Sequence, residues 1–429
     1  MNPVDAREHR LLRSLWRDRP FLDFSEIFAR DRYGASASPR RLLYLAGTGD
    51  ALGLFRQELL GVDARRELAI PYSRQVLDVC ESLGAGVLTI VERSEARRLD
   101  HGRVRIEEHP IPFNRARGAV YHLGRILFAF KIAWIAWCFR PQVVLASTSS
   151  HWFTLTMLSW MNIKIVTSLH NTFWPQEHPP PGRVRKALLK LNGWFWRSHV
   201  AGTIAVSDEC ARQVREIAAE PAIPVRVVVA QYPNDLPPQI LPPAEGPFRV
   251  LFAGRLARIK GVWDVLAAAQ SLENSYPGRF AWTLAGDGIE LQSLREAVAK
   301  AGLENSVSVP GHLTPVEFIA AIDAHHVVIS PTTSGFSEGL QKVALEGVLR
   351  GRPVVTTIFS NAFDKFGSAL VRCEERDPVS IAAAVLRLAD NPKAYERARA
   401  ESVRCSSVFF DRRQGYAAAV REMIEPLWT

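Results

Sequence analysis

The chain has 429 residues and 47% apolar content, which predicts a globular protein of two domains. Its five cysteines are scattered, with no Cys-x-x-Cys or Cys/His grouping; this argues for a reducing compartment and against a structural zinc site. The formal charge of +9 lies wholly in the first half: residues 1–240 hold 32 Lys/Arg and 23 Asp/Glu, whereas residues 241–429 hold 21 of each.

In chain order, the first twenty residues contain no continuous apolar core and do not read as a signal peptide. Leu11, Leu12, Leu15 and Trp16 suit one short amphipathic helix, and residues 34–39 read as a linker closing an N-terminal extension of 1–39. A first domain, 40–235, opens with a buried strand at 42–46, then Gly47-Thr48-Gly49-Asp50, then a helix through Leu60. Strand, glycine loop and helix is the opening of a dinucleotide-type fold, but the third glycine is out of register: position 52 is Leu and Gly53 comes one later. Gly49 is therefore either a phosphate-approaching loop residue or part of a plain tight turn.

Alternating helices and strands continue to residue 229, with a long helix expected over 119–139. Its longest apolar run, 126–139, is interrupted by Lys131 and is too short to cross a bilayer, leaving a buried or an interfacial helix. From His109 to Gln176 there is no Asp or Glu, yet the window holds six Lys/Arg together with Trp134, Trp137, Trp152 and Trp160. The stretch 183–197 repeats the pattern with Arg183, Arg185, Lys186, Lys190 and Arg197 among Leu188, Leu189, Trp194, Phe195 and Trp196. Such a basic, aromatic-rich half suits an anionic surface or substrate, or else a solvated basic face over core tryptophans. A nucleic-acid partner would also explain the charge, but no recognition module is present. Ser207, followed by Asp208 and Glu209, reads as a helix cap rather than a nucleophile.

Residues 236–247 carry a run of prolines and read as the linker and hinge. A second alternating unit, 248–407, follows, and a last helix within 408–429 is expected to pack back on the first domain. The expected fold is therefore α/β, with two domains whose parallel sheets present their strands' carboxyl ends to a shared cleft. His325 and His326 read as packing or capping residues before a strand. At 327–355 a strand feeds a Gly/Ser loop, a helix opens near Gly339 and stops at Arg350-Gly351-Arg352-Pro353, and another strand follows. Glu338 sits at the mouth of that helix and Glu346 eight positions on, a rise of roughly 12 Å if the segment is helical. The amides of Gly339, Leu340 and Gln341 would lie between them as an anion site. That layout suits an elongated ligand with a central diphosphate and hydroxyl-bearing ends.

Four separated motifs, FAGRLARIKGVWDVLAAA, TLAGDG, VPGH and SPTTSGFSEGLQKVALEGVLRGRPVV, occur in order. Together they resemble the donor domain of glycosyltransferase family 4, of the GT-B fold; SLHNTFWP, IAVSDECARQV and YPNDL look like its acceptor domain. The resemblance implies two Rossmann-like domains, a nucleotide-sugar donor rather than a bound cofactor, retention of configuration and no obligatory metal. Arg255 and Lys260 match the diphosphate-binding cations, with Gly339 and Leu340 supplying amides. Glu338 matches the carboxylate that contacts the transferred sugar, Glu346 the one that holds the ribose, and His170 the histidine that reaches the sugar from across the cleft. Gly311 flanks the nucleotide base. Departures are Gln341, where the family has Gly or Pro, and the unpaired glycines at 47–49. The implied activity is hexosyl transfer to a glycan or polyprenyl-linked glycolipid, at the inner face of the cytoplasmic membrane and against its anionic surface. A non-catalytic nucleotide-sugar-binding subunit and a sugar-nucleotide epimerase are the alternatives.

Overall fold

A computed structural model describes residues 40–61, 67–147, 151–180, 182–220 and 223–428. The helix and linker expected within 1–39 lie outside these residues, as do Thr148, Ser149 and Ser150.

The first sheet holds β1 (Arg41–Leu45), β2 (Gly86–Glu92), β3 (Arg97–His101), β4 (Val104–His109), β5 (Val143–Ala146), β6 (Lys164–Leu169), β7 (Val200–Ala205) and β8 (Val225–Val227). Their spatial order is β3-β4-β2-β1-β5-β6-β7-β8. The central strands are buried along almost their whole length, because helices cover both faces of the sheet. One strand departs from the expected parallel arrangement: β3 runs antiparallel to β4 through a turn at Gly102, whose φ is +57°. Its sequence, RRLDH, buries only Leu99, opposite Ile106, so its charges occupy a solvated edge.

The second sheet holds β9 (Phe248–Ala253), β10 (Phe280–Ala285), β11 (Val307–Gly311), β12 (Val327–Ser330), β13 (Val354–Thr356) and β14 (Leu370–Arg372). It is wholly parallel, in the order β11-β10-β9-β12-β13-β14. The α/β expectation of two sheet domains holds. The C-terminal helix Tyr416–Ile424 belongs to the first core, where Tyr416, Ala419, Val420 and Ile424 are buried. The chain thus crosses between domains twice.

The expected hinge is fastened for part of its length. Arg350 donates to the carbonyls of Pro237 at 2.7 Å and Pro238 at 2.8 Å, and its guanidinium also grips Asp323. Arg352 donates to the Ile240 carbonyl and to those of Ile322, Asp323 and His325. The stop signal of the helix Lys342–Leu349 therefore doubles as a clamp on the linker. Both guanidiniums are buried, and their fixed forks match several carbonyls at once, which a lysine could not do.

Candidate active site

A cavity of about 920 Å³ lies between the two domains. The loops that follow β1, β5 and β6 supply Gly47, Ser147 and residues 170–173, the loop after β12 supplies Phe336 and Ser337, and the helix after that loop supplies Lys342. The carboxyl ends of two parallel sheets thus share one cavity, the place where such sheets bind ligands. His170 and Gly49 are on its wall. Arg255, Lys260, Glu338, Gly339, Leu340, Glu346 and Gly311 are not.

The loop before the helix differs from the sequence expectation. The helix opens at Lys342, three residues later than Gly339. The spacing of Glu338 and Glu346 is therefore not a helical rise, and Gly339, Leu340 and Gln341 are not first-turn amides. The reason is tertiary. A Cβ on Gly339 would lie 2.0 Å from the His170 carbonyl oxygen, so only glycine lets the two domains' backbones touch there. The Gln341 amide is held by the Ser360 carbonyl at 3.0 Å. Its side chain turns inward, donating to Ser330 and to Thr332 Oγ1 at 2.7 Å, and accepting from Thr356 Oγ1 at 3.3 Å. Gln341 neither crowds a diphosphate nor offers it a donor. The free amides at the helix start are those of Lys342 and Val343, since Ala344 and Leu345 already bond the Gln341 carbonyl.

Glu338 is held from both domains. Thr172 Oγ1 of the first domain donates to its carbonyl at 3.1 Å, and Asn361 Nδ2 of the second at 2.5 Å. Its carboxylate ion-pairs with Lys260, and each side chain is only 16% exposed. The Lys260 ammonium also stands 4.4 Å from the centroid of the Phe336 ring. Two of the expected site residues are thus brought into direct contact.

The loop 254–261 that carries Lys260 also carries Arg255, which is exposed. Three glycine loops zip together at the strand ends. Gly254 N donates to Ala285 O, Gly286 N to Gly311 O and Leu256 N to Asp287 O. Gly286 and Gly311 have φ of +143° and +96°, and a Cβ on Gly286 would overlap the Gly254 carbonyl at 1.8 Å. Gly311 is thereby a buried part of this stack.

His170 Nε2 lies 2.9 Å from Ser168 Oγ, which in turn accepts from the Tyr416 hydroxyl at 2.9 Å. The imidazole forms a triangle with the rings of Tyr72 and Tyr416, with centroids at 4.6 and 5.8 Å from it and 4.7 Å from each other. Burial, aided by the charge of Lys342, lowers its pKa to about 4. It is neutral at pH 7, and the hydroxyl chain fits the tautomer protonated at Nδ1. Glu346 is 6% exposed, in the second turn of the helix, and burial raises its carboxyl pKa to about 7. Lys342, one turn earlier, occupies the cavity wall in its place. A ribose contact by Glu346 would need this carboxyl uncovered.

Sequence reasoning passed over Thr172, Phe336, Lys342, Asn361 and Tyr416. Lys342 pairs with Glu67 across the domains, and Asn361 stands at φ +53°, a left-handed conformation that asparagine tolerates. Thr172 lies in the SLHNTFWP stretch already singled out. Nothing local marks the others, since their partners are distant in sequence.

Comparison with known proteins bears on this arrangement. A family described as Glycosyltransferase Family 4 matches residues 73–230, and one described as Glycosyl transferases group 1 matches residues 247–391. Each of the two sheet domains thus matches a glycosyltransferase family, the first domain family 4. The two matches leave the clamped linker between them. A Mycobacterium tuberculosis glycogen synthase is 33% identical over 170 residues, 39% of this chain and 40% of that protein. A Rhizobium meliloti lipopolysaccharide core biosynthesis glycosyltransferase, LpsD, is 28% identical over 221 residues, 47% of this chain and 57% of that one. The chain therefore matches less than two thirds of the length of either relative. Among solved structures, Anabaena HepE in complex with UDP superposes with a TM-score of 0.63, covering 90% of this chain and 99% of that one at 14% identity. That likeness shows the GT-B fold.

Proposed function

We propose that the protein transfers a hexosyl group from a nucleotide-sugar to a hydroxyl of a glycan or lipid-linked acceptor, with retention of configuration, in cell-surface polysaccharide or glycolipid synthesis. The observation that carries this reading is the Lys260–Glu338 pair, set on the donor loop where it meets the His170 backbone across the cleft. UDP-sugars are the first donors to test, because HepE was solved with UDP.

In this reading the diphosphate takes Arg255, Lys260 and the free amides of Lys342 and Val343. Lys260 then exchanges Glu338 for phosphate, which releases the Glu338 carboxylate to the hydroxyls of the sugar. His170, neutral and held by Ser168, accepts or donates a hydrogen bond to that sugar without adding charge. The acceptor hydroxyl enters from the cavity and attacks the anomeric carbon on the face the leaving group departs from. The bond to the diphosphate breaks, and the acceptor's proton passes to the departing phosphate oxygen. The growing negative charge falls on fixed cations and amides, so the step is proposed to need no metal. The proposal puts the enzyme in the cytoplasm, at the inner face of the cytoplasmic membrane.

The inward turn of Gln341 takes away the main reason for a non-catalytic reading. A thermal-shift screen of UDP-, GDP- and ADP-sugars, followed by hydrolysis of the best donor, tests the proposal. One donor should stabilise the protein and be hydrolysed with the anomeric configuration kept, as read by NMR. Stabilisation by none at millimolar concentration would sink it, and epimerised donor as the product would favour the epimerase.

A further inference from the structure

The helix Ala119–Phe139 has two apolar faces where an ordinary surface helix has one. Its inner face, with Phe128, Ile132, Ile135 and Phe139, is part of the first core. Its outer face carries Val120, Leu123, Leu127, Phe130 and Trp137, all exposed, with Phe130 at 58% and Trp137 at 52%. The spacings of 3, 4, 3 and 7 place them in one stripe about 26 Å long. The helix is long and apolar enough to cross a membrane. Its inner face is committed to the sheet, however, and Arg125 within it bonds Glu92 bidentately at 2.9 and 3.2 Å, so it lies on a surface rather than spanning one.

Nothing in the described structure covers the stripe, and its surroundings say what would. From His109 to Ser207 the only acidic residue is Glu177. The neighbouring short helix ends in Trp160, 73% exposed. The helix Arg183–His199 that packs beside it exposes Arg183, Arg185, Lys186 and Lys190, while Phe195 and Trp196 are buried. At the near end of the stripe Phe113 is exposed with φ +56°, a conformation bulky residues avoid, and it packs where Gly124 lets residue 112 cross the helix. An apolar stripe rimmed by cations and without acids is complementary to a lipid surface with anionic headgroups, not to a second copy of the same basic face, which would repel it.

We infer that the outer face of the helix Ala119–Phe139 is an interfacial membrane-docking surface. Phe130, Trp137 and Trp160 enter the headgroup layer, and the basic helix beside them reads the anionic lipid. This deepens the lipid-linked acceptor reading, but its test needs no turnover, so the two can fail separately.

The full chain is centrifuged with phosphatidylglycerol/phosphatidylcholine vesicles and with pure phosphatidylcholine vesicles, at low and high salt. It should pellet with the anionic vesicles and be released by salt. The double variant F130Q/W137Q should lower the partition coefficient about tenfold or more with unchanged melting, since both side chains are exposed. Arg183, Arg185, Lys186 and Lys190 all changed to Ser should remove the preference for anionic lipid. Equal recovery in the supernatant with both vesicle types, or pelleting that F130Q/W137Q leaves unaltered, would overturn the inference. So would a concentration-dependent dimer that F130Q/W137Q abolishes in a protein that never pellets, which would assign the stripe to a second copy.

Discussion

Arg255 and Lys260 share a loop and, in the proposed reaction, a diphosphate, yet the structure predicts that their loss will look different. Arg255 is exposed, so Arg255→Ala should leave stability within about 0.5 kcal/mol of wild type. Lys260, whose ammonium stands over Phe336, neutralises a Glu338 carboxylate whose side chain is 16% exposed. Removing it leaves a poorly solvated charge uncompensated, and a hydrogen bond to a charged group contributes about 1.5–3 kcal/mol. A loss of about 2 kcal/mol corresponds to a fall in Tm of about 4–8 °C for a domain of this size. Adding Glu338→Gln to Lys260→Ala removes the stranded charge and should recover part of that loss. In steady-state assays with the donor found by screening, both single variants should lose about 10²-fold in turnover, about 2.7 kcal/mol of transition-state stabilisation. Near-normal turnover in Arg255→Ala would refute the diphosphate assignment. An unchanged Tm in Lys260→Ala, or no recovery in the double variant, would refute the ion pair as a stabilising contact.

Three other outcomes follow from the site. Gly339→Ala places a methyl group against the His170 carbonyl, so it should part the domains there; turnover should fall at least about tenfold and small-angle scattering should show a larger radius of gyration, whereas wild-type values in both would show the contact to be dispensable. Turnover should survive excess EDTA, because cations and amides supply the charge; complete loss restored by Mg²⁺ or Mn²⁺ would contradict this. Glu346 has a folded-state pKa of about 7 against an ordinary 4.5, so the folded protein holds a proton that the unfolded chain has released. Stability should therefore fall as pH rises through about 4.5–7, and Glu346→Gln should flatten that slope in thermal melts, identical slopes arguing that the carboxyl is solvated.

The alternation of apolar runs made both sheets legible, since a strand covered on two faces announces itself by composition alone. β3 escaped because its charges obscure a single buried Leu99. The position of the donor-loop helix was misread for a different reason. Its onset at Lys342 is decided by the Gly339 contact with His170 and by the bonds of Gln341 to Ser360, Ser330 and Thr332, and periodicity carries no information about partners that far away. The same blindness hid Lys342, which takes the cavity position expected of Glu346. Arg350 and Arg352 were visible as a helix stop, but their role in clamping the linker depends on carbonyls more than a hundred positions upstream.

These long-range contacts bear on how the cleft works. Three of them cross it: Gly339 on the His170 backbone, Thr172 on the Glu338 carbonyl, and Lys342 on Glu67. The last is exposed on both sides and contributes little; the backbone contact and the neutral hydrogen bond act beside apolar burial, because Leu68, Ala69 and Tyr232 share a buried cluster with Ala344, Leu345 and Val348 of the second domain. The linker, by contrast, is gripped by two buried guanidiniums and moves with the second domain. Any opening must therefore flex the chain outside residues 237–240, and one contact it must break is that of Thr172 with the Glu338 carbonyl. Glu338 is also the residue whose carboxylate Lys260 holds. A diphosphate that draws Lys260 away would alter the ion pair and the cleft contact together, because both end on Glu338. In the proposed reaction, donor occupancy and domain closure would then share Glu338, a coupling by differential contact rather than by distance.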